Sequence, residues 1–308
     1  GNAGTGGNLN LQAKNMLLDN SNITAFGFQR GGFLNLKADT LTTSNTLIES
    51  AAFNGPGAIN IVGNAIDFTK ASTVVSSTGG DGDAAPINIT AHDHLSLSGF
   101  IQDFVPELGF IGRPTGIFSN SFGVSGTHGN AGTITINTPS LVMTDGARIN
   151  TTTAANGRGG DVIINAQSVS MSGEFTSFLP EPLFNLGTIH AGGISTTTVG
   201  GSCVGPCGNA GNISITTNTL NVTNGAQINS GTISDGNGGL ITINARDTIS
   251  ISGKLSDGSP GGILSQAVGT TPGSGSGGNI SLISGQSISI SDGATVSAST
   301  TGPGNAGN

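Results

Sequence analysis

The chain has 308 residues, 9 basic against 17 acidic, a net charge of −8, and no Trp or Tyr. Only 8% of residues are charged, against about a quarter in ordinary domains, and Gly, Thr, Ser and Asn together make up half the chain. Coiled coils and helical bundles are excluded by this composition, nucleic-acid binding by the lack of clustered Lys and Arg, and a membrane helix by the absence of any apolar run near roughly 18 residues.

Taken in chain order, the first recurring element is an apolar-x-apolar pair. It starts at Leu9, Leu34, Ile59, Ile87, Ile134, Val162, Ile213, Ile241 and Ile280, with spacings of 25, 25, 28, 47, 28, 51, 28 and 39 residues. A second alternating pair follows each one, starting at Met16, Leu41, Ile66, Leu95, Leu141, Val169, Leu220, Ile249 and Ile288, always seven or eight residues after the first. A third apolar stretch, often announced by Gly, completes the unit, as in Gly146-Ala147-Arg148-Ile149 and Gly225-Ala226-Gln227-Ile228. Alternation with period two and no helical period predicts three short strands per unit of about 25 to 28 residues. Disorder, which abundant Gly, Ser and Asn would otherwise suggest, does not produce such regular offsets.

Units this small cannot bury an apolar face alone, so they must stack. The sequence therefore predicts an all-β, right-handed parallel β-helix of about nine triangular, three-strand rungs. Neighbouring rungs are about 4.8 Å apart, giving a rod roughly 43 Å long. The whole of 1–308 reads as one β-helix. The outward position of the first strand places Asn10, Asn35, Asn60 and Asn88 on successive rungs, predicting an axial stack of side-chain amides.

The long spacings mark insertions at about 100–115, 174–192 and 254–261, after Gly99, Gly173 and Gly253. All three leave from the same corner, on alternate rungs 4, 6 and 8, and are expected on one flank. One face of a solenoid often carries its binding loops. The first holds Phe100, Phe104 and Phe110, the second Phe175, Phe178 and Phe184. These form either an apolar interaction patch or a cover folded against the rod, the usual fate of Phe.

The phrases Gly129-Asn130-Ala131-Gly132, Gly208-Asn209-Ala210-Gly211-Asn212 and Gly304-Asn305-Ala306-Gly307-Asn308, with Thr223-Asn224-Gly225-Ala226-Gln227-Ile228, resemble the repeat region of filamentous-haemagglutinin-type exoproteins of two-partner secretion systems. That resemblance implies secretion and a place outside the cell, or on the surface, of a Gram-negative-type bacterium. The family's N-terminal secretion domain is not seen, so the chain reads as an interior piece of a longer repeat protein. In a secreted protein Cys203 and Cys207, the only cysteines, are expected to form a local disulfide. A zinc site with His190 and a free thiol pair are the alternatives.

The expected function is that of a structural extracellular rod, an adhesin stalk or a segment of a surface filament. Its partners are further rungs or copies of itself and, through the Phe loops, host or cell-surface glycans or proteins. A polysaccharide lyase or glycosidase is the competing class, but it needs paired carboxylates. Asp39, Asp93 and Asp247 fall on non-adjacent rungs and Asp67 stands alone in its row, so no enzyme activity is expected. His92-Asp93-His94 reads as a solvated corner more than a metal pair. Asp81 and Asp83 form only a single weak calcium-like turn, so no metal or other cofactor is expected.

Overall fold

The computed structural model describes residues 4–55, 57–105, 109–122, 129–154, 156–176, 189–199, 207–233, 235–269 and 275–308. Every regular element among them is a β-strand. Two parallel sheets run the length of the molecule. The first holds long strands such as Leu9–Asp19, Phe33–Ser44, Ala58–Thr69 and Ile241–Ser252; the second holds short strands such as Asn22–Gly27, Arg148–Thr153 and Gly262–Ala267. Each strand pairs with its counterpart one rung away, and the order of both sheets follows the chain through nine rungs. This is a parallel β-helix.

The register is the one the apolar pairs require. Leu9 pairs with Leu34, Leu34 with Ile59, Ile59 with Ile87, and the column continues through Ile134, Val162, Ile213 and Ile241 to Ile280. From Leu34 to Ile241 these side chains are essentially shielded from water. The second pair builds a parallel column through Leu41, Ile66, Leu95, Leu141, Val169, Leu220 and Ile249, and the short strands contribute Ile48, Val74, Ile117, Ile149, Ile194, Ile228 and Ile263. Together they form one continuous core cluster. Burial of each such side chain stabilises the fold by about 1.5–3 kcal/mol.

One expectation changes. The first and second apolar pairs were expected on separate strands. In rungs 1–8 they lie on one long strand that crosses the expected corner, and only rung 9 splits, into Ile280–Ser284 and Ser287–Ser291. Pairing with the rungs on either side carries the strand through the bend. Where a rung with an offset of seven meets one with an offset of eight, the extra residue is absorbed as a bulge. The register shifts at Gly63/Ala65, Asn137/Ser140 and Thr217/Thr219 fall at those junctions.

The third stretch is only partly apolar. After its isoleucine, the next inward position is Ser50, Ser76, Ser119, Thr151, Thr196, Ser230 and Ser265, stacked in register and buried. Buried hydroxyls need partners; Ser76 Oγ has none, but for the others cited below the Gly-rich segment that enters the same or the following rung supplies one. Ser50 donates to the Gly32 carbonyl at 2.9 Å, Thr151 to Gly160 at 2.6 Å, Thr196 to Gly211 at 2.8 Å and Ser265 to Gly239 at 2.8 Å. The Gly239 amide in turn donates to Ser230 Oγ at 2.9 Å.

Candidate functional site

Two kinds of side-chain ladder tie the rungs together. On the outer face of rungs 1–4 the structure brings Asn10, Asn35, Asn60 and Asn88 into one stack. Asn35 Nδ2 donates to Asn10 Oδ1 at 2.7 Å, Asn60 to Asn35 at 2.8 Å and Asn88 to Asn60 at 2.9 Å. The second ladder was not legible as such in the sequence, although its residues are the repeat phrase itself. In Gly-Asn-Ala-Gly-Asn both Asn side chains accept a hydrogen bond from the backbone of the next rung. Asn209 Oδ1 takes the Asn237 amide at 2.8 Å and Asn212 Oδ1 takes the Leu240 amide at 3.0 Å. Asn130, Asn237 and Asn279 do the same for Arg158, Ser276 and Asn308.

Aspartate fills the role where the phrase departs from Asn. Asp161 accepts from the Asn212 amide at 2.7 Å, and Asp83 accepts from the Asn130 amide and side chain at 2.9 and 2.8 Å. Asp83, a candidate calcium ligand by sequence, is thus a rung-to-rung acceptor. The glycines of the phrase answer to close approach. A Cβ on Gly211 would collide with the Gly160 carbonyl oxygen, and one on Gly239 with that of Gly211. Ala210 points inward and is buried.

The three insertions leave from one corner, each after a glycine of positive φ: Gly99 at 78°, Gly173 at 91° and Gly253 at 93°. The first is an antiparallel hairpin, Phe100–Val105 with Gly109–Pro114; the second pairs Glu174–Thr176 with Ile189–Ala191; the third closes through a Lys254–Pro260 bridge. The intervening rungs turn the same corner tightly, at Asp145-Gly146, Asn224-Gly225 and Asp292-Gly293. There is no spare room over these turns. A Cβ on Gly146 would press on Glu174 and Phe175, and one on Gly225 on Leu255. Neighbouring hairpins also touch, since the Ser256 amide donates to Glu174 Oε2 at 2.8 Å.

The Phe residues do not share one environment. Phe100 is 36% exposed, and Phe104 and Phe110 pair across the first hairpin. Phe175 contradicts the reading of an exposed patch and fits that of a cover: it is buried at the base of the second hairpin, with the Arg148 guanidinium 5.6 Å from its ring centre. It is held there because its chain runs directly over Gly146. Phe178 and Phe184 lie outside the described residues. So does Cys203, while Cys207 is disulfide-bonded.

His94 sits on the outer face of the long-strand sheet between two carboxylates, with Nδ1 3.0 Å from Asp93 Oδ2 and Nε2 3.3 Å from Asp67 Oδ1. The hydrogen bond to Asp93, helped by Asp67, raises its pKa above the ordinary imidazole value despite some desolvation. Asp93 and His94 lie where the strand Ile87–Ser98 passes through the bend, at the bulge against Gly63 and Ala65. Among the described residues no group of three His, Cys, Asp or Glu could hold a metal.

A groove of about 420 Å³ opens on the outer face of the short-strand sheet over rungs 5–8. Its floor is the outward row Arg148, Asn150 and Thr152 with their counterparts Ser195 and Thr197, Gln227 and Asn229, and Gln266. The second and third hairpins overhang one end through Ala191 and Leu255. Missing side chains at Gly193 and Gly231 deepen it. Gly193, at φ 117°, is confined to glycine by its backbone and by the Gln227 carbonyl against it. No sequence signal pointed to this groove, because Arg148 is a solitary basic residue whose neighbours come from other rungs. Comparison with protein-family models, curated proteins and solved structures finds no match to this chain.

Proposed function

We propose that this chain is a structural segment of an extracellular β-helical rod, serving as an adhesin stalk or as part of a surface filament. The observation that carries the reading is the uninterrupted axial bonding: one core cluster and two side-chain ladders run from rung to rung. Such a solenoid gains stability with each added neighbour and resists bending because its backbone hydrogen bonds lie along its length. The repeat phrase supports a place among filamentous-haemagglutinin-type exoproteins, hence secretion by a Gram-negative-type bacterium. The disulfide at Cys207 fits an oxidising compartment. The acidic balance favours a soluble surface that resists nonspecific association.

Electron microscopy of the native material tests this. Thin filaments or stiff rods with an axial repeat of about 4.8 Å are expected, and a longer period would separate stacked copies from one continuous chain. Short discrete particles in material taken from the cell surface would overturn the proposal.

A further inference from the structure

The groove over rungs 5–8 has features that a stalk does not need. Arg148 stands at its hairpin end, half-buried between Phe175 and the groove. Among the described residues it makes no ion pair, whereas Arg158 in the same rung holds Asp161 at 2.6 Å. Desolvation by the surrounding protein disfavours its charge, yet a guanidinium stays protonated. A partly desolvated cation with no counter-ion among the described residues is a strong attractor for an anion, above all for a planar carboxylate that its fork can grip at two points.

The rest of the floor indicates what such an anion would be attached to. From the Gly193/Gln227 pair to the Val199/Ile233 pair the groove runs six residues along the strands, roughly 20 Å at about 3.3 Å per residue. Next to Arg148 come Gln227, Asn150, Ser195 and Asn229, amides and a hydroxyl that both donate and accept; Gln227 Nε2 already donates to the Pro260 carbonyl at 2.9 Å, which leaves its Oε1 as an acceptor. Asn150 is committed, donating to Ser195 Oγ at 2.6 Å and accepting from Thr152. Asn229 is not: its Oδ1 has no hydrogen-bond partner and is turned away from solvent, so a rotation of the carboxamide toward the groove would let a ligand hydroxyl satisfy it. At the far end Val199, Ile233 and Val268 offer an apolar shelf.

A peptide strand fits this floor poorly. The strands Arg148–Thr153, Gly193–Val199, Gln227–Ile233 and Gly262–Ala267 are each paired on both sides, so no backbone edge is free for strand addition. Only side chains face the ligand. A polyol with one negative charge matches them: its carboxylate meets the guanidinium, its hydroxyls meet amides and hydroxyls, and the C–H face of a sugar ring rests on the valine and isoleucine shelf.

We propose that this groove is a binding site for an acidic saccharide, its carboxylate on Arg148 and its hydroxyls on Gln227, Ser195 and Asn229. The site does not depend on rods joining end to end.

Isothermal titration calorimetry on the full chain tests it, with two carboxylated probes of different ring geometry, trigalacturonate and sialyllactose, against neutral comparators, the trigalacturonate methyl ester and lactose. Saturable binding of at least one acid is expected, with its neutral comparator weaker by about 10- to 100-fold, the range of a charge-assisted bond. R148Q should lose the same factor. T197W, which fills the middle of the groove and leaves Arg148 in place, should abolish binding while its circular dichroism stays unchanged, so the test survives if R148Q folds poorly. Absence of saturable binding by both acids would overturn the proposal. So would equal affinity for acid and neutral probe, or wild-type affinity in T197W.

Discussion

Rungs 1–3 and rungs 5–8 have the same cross-section but are held together axially in different ways. The first three rungs advance by 25 residues, carry no insertion and stack Asn10, Asn35 and Asn60 amide on amide across an outer face. The later rungs advance by 28 residues or more and spend the extra residues on the Gly-Asn-Ala-Gly-Asn corner and on hairpins. Their corner asparagines bond the backbone, each Oδ1 capping an amide one rung on, and amide-on-amide contact recurs there only in the single pair Asn165 to Asn137 among the described residues. The amide stack supplements strands whose backbone is already paired, whereas the corner ladder satisfies backbone donors that have no strand partner. The core does not register the difference, since its columns of Leu, Ile and Val run through both regions.

That contrast can be broken or sharpened by mutation. The largest effect is expected in the shared core. Ile61→Ala in rung 3 and Ile215→Ala in rung 7 should each cost about 2–5 kcal/mol in urea unfolding, and a large inequality would show that the two regions do not share one core. Next is Gly211→Ala, which forces a Cβ against the Gly160 carbonyl. A loss of about 1–3 kcal/mol is expected, read as a fall in thermal midpoint, and an unchanged midpoint would show that the rungs can separate freely. Asn212→Ala should cost about 1 kcal/mol by removing the acceptor for Leu240. Asn60→Ala should cost less, about 0.5 kcal/mol, because water can replace a half-exposed amide contact. Unchanged unfolding in a triple replacement of Asn35, Asn60 and Asn88 would deny the amide stack any role.

The smallest effect is set by pH. The folded-state pKa of His94 is raised, so its charged contacts with Asp93 and Asp67 contribute fully below the unfolded value of about 6.5. They are lost as pH rises through the folded value. His94→Gln should remove that slope, which lies above the unfolded value, while leaving the high-pH stability unaltered. Because His94 is partly exposed, solvent screening keeps the change small.

The sequence carried the repeat well because a parallel stack writes its register into the chain. Every rung must present an apolar pair at the same offset, so Leu34, Ile59 and Ile87 could be aligned by eye, and Asn35, Asn60 and Asn88 with them. The insertions were equally legible, since they break the spacing after Gly99, Gly173 and Gly253. The bend was misjudged because a gap of seven or eight residues between apolar pairs looks like a corner, while pairing on both sides lets one strand run through it. The inward hydroxyls of Ser230 and Thr196 gave no signal in the sequence, as their partners are glycine carbonyls on another segment. Arg148 had no signal at all. Its setting is made by Phe175 from one insertion and by glycines from neighbouring rungs, a coincidence visible only in three dimensions.

The claim that corner asparagines cap the backbone of the next rung can be tested amide by amide. Hydrogen exchange followed by NMR should show the Leu240 amide protected in the unmodified protein. In Asn212→Ala that protection should be lost, while the Ile241 amide, bonded to the Asn279 carbonyl at 3.0 Å, stays protected. Equal protection of Leu240 in both proteins would contradict the account.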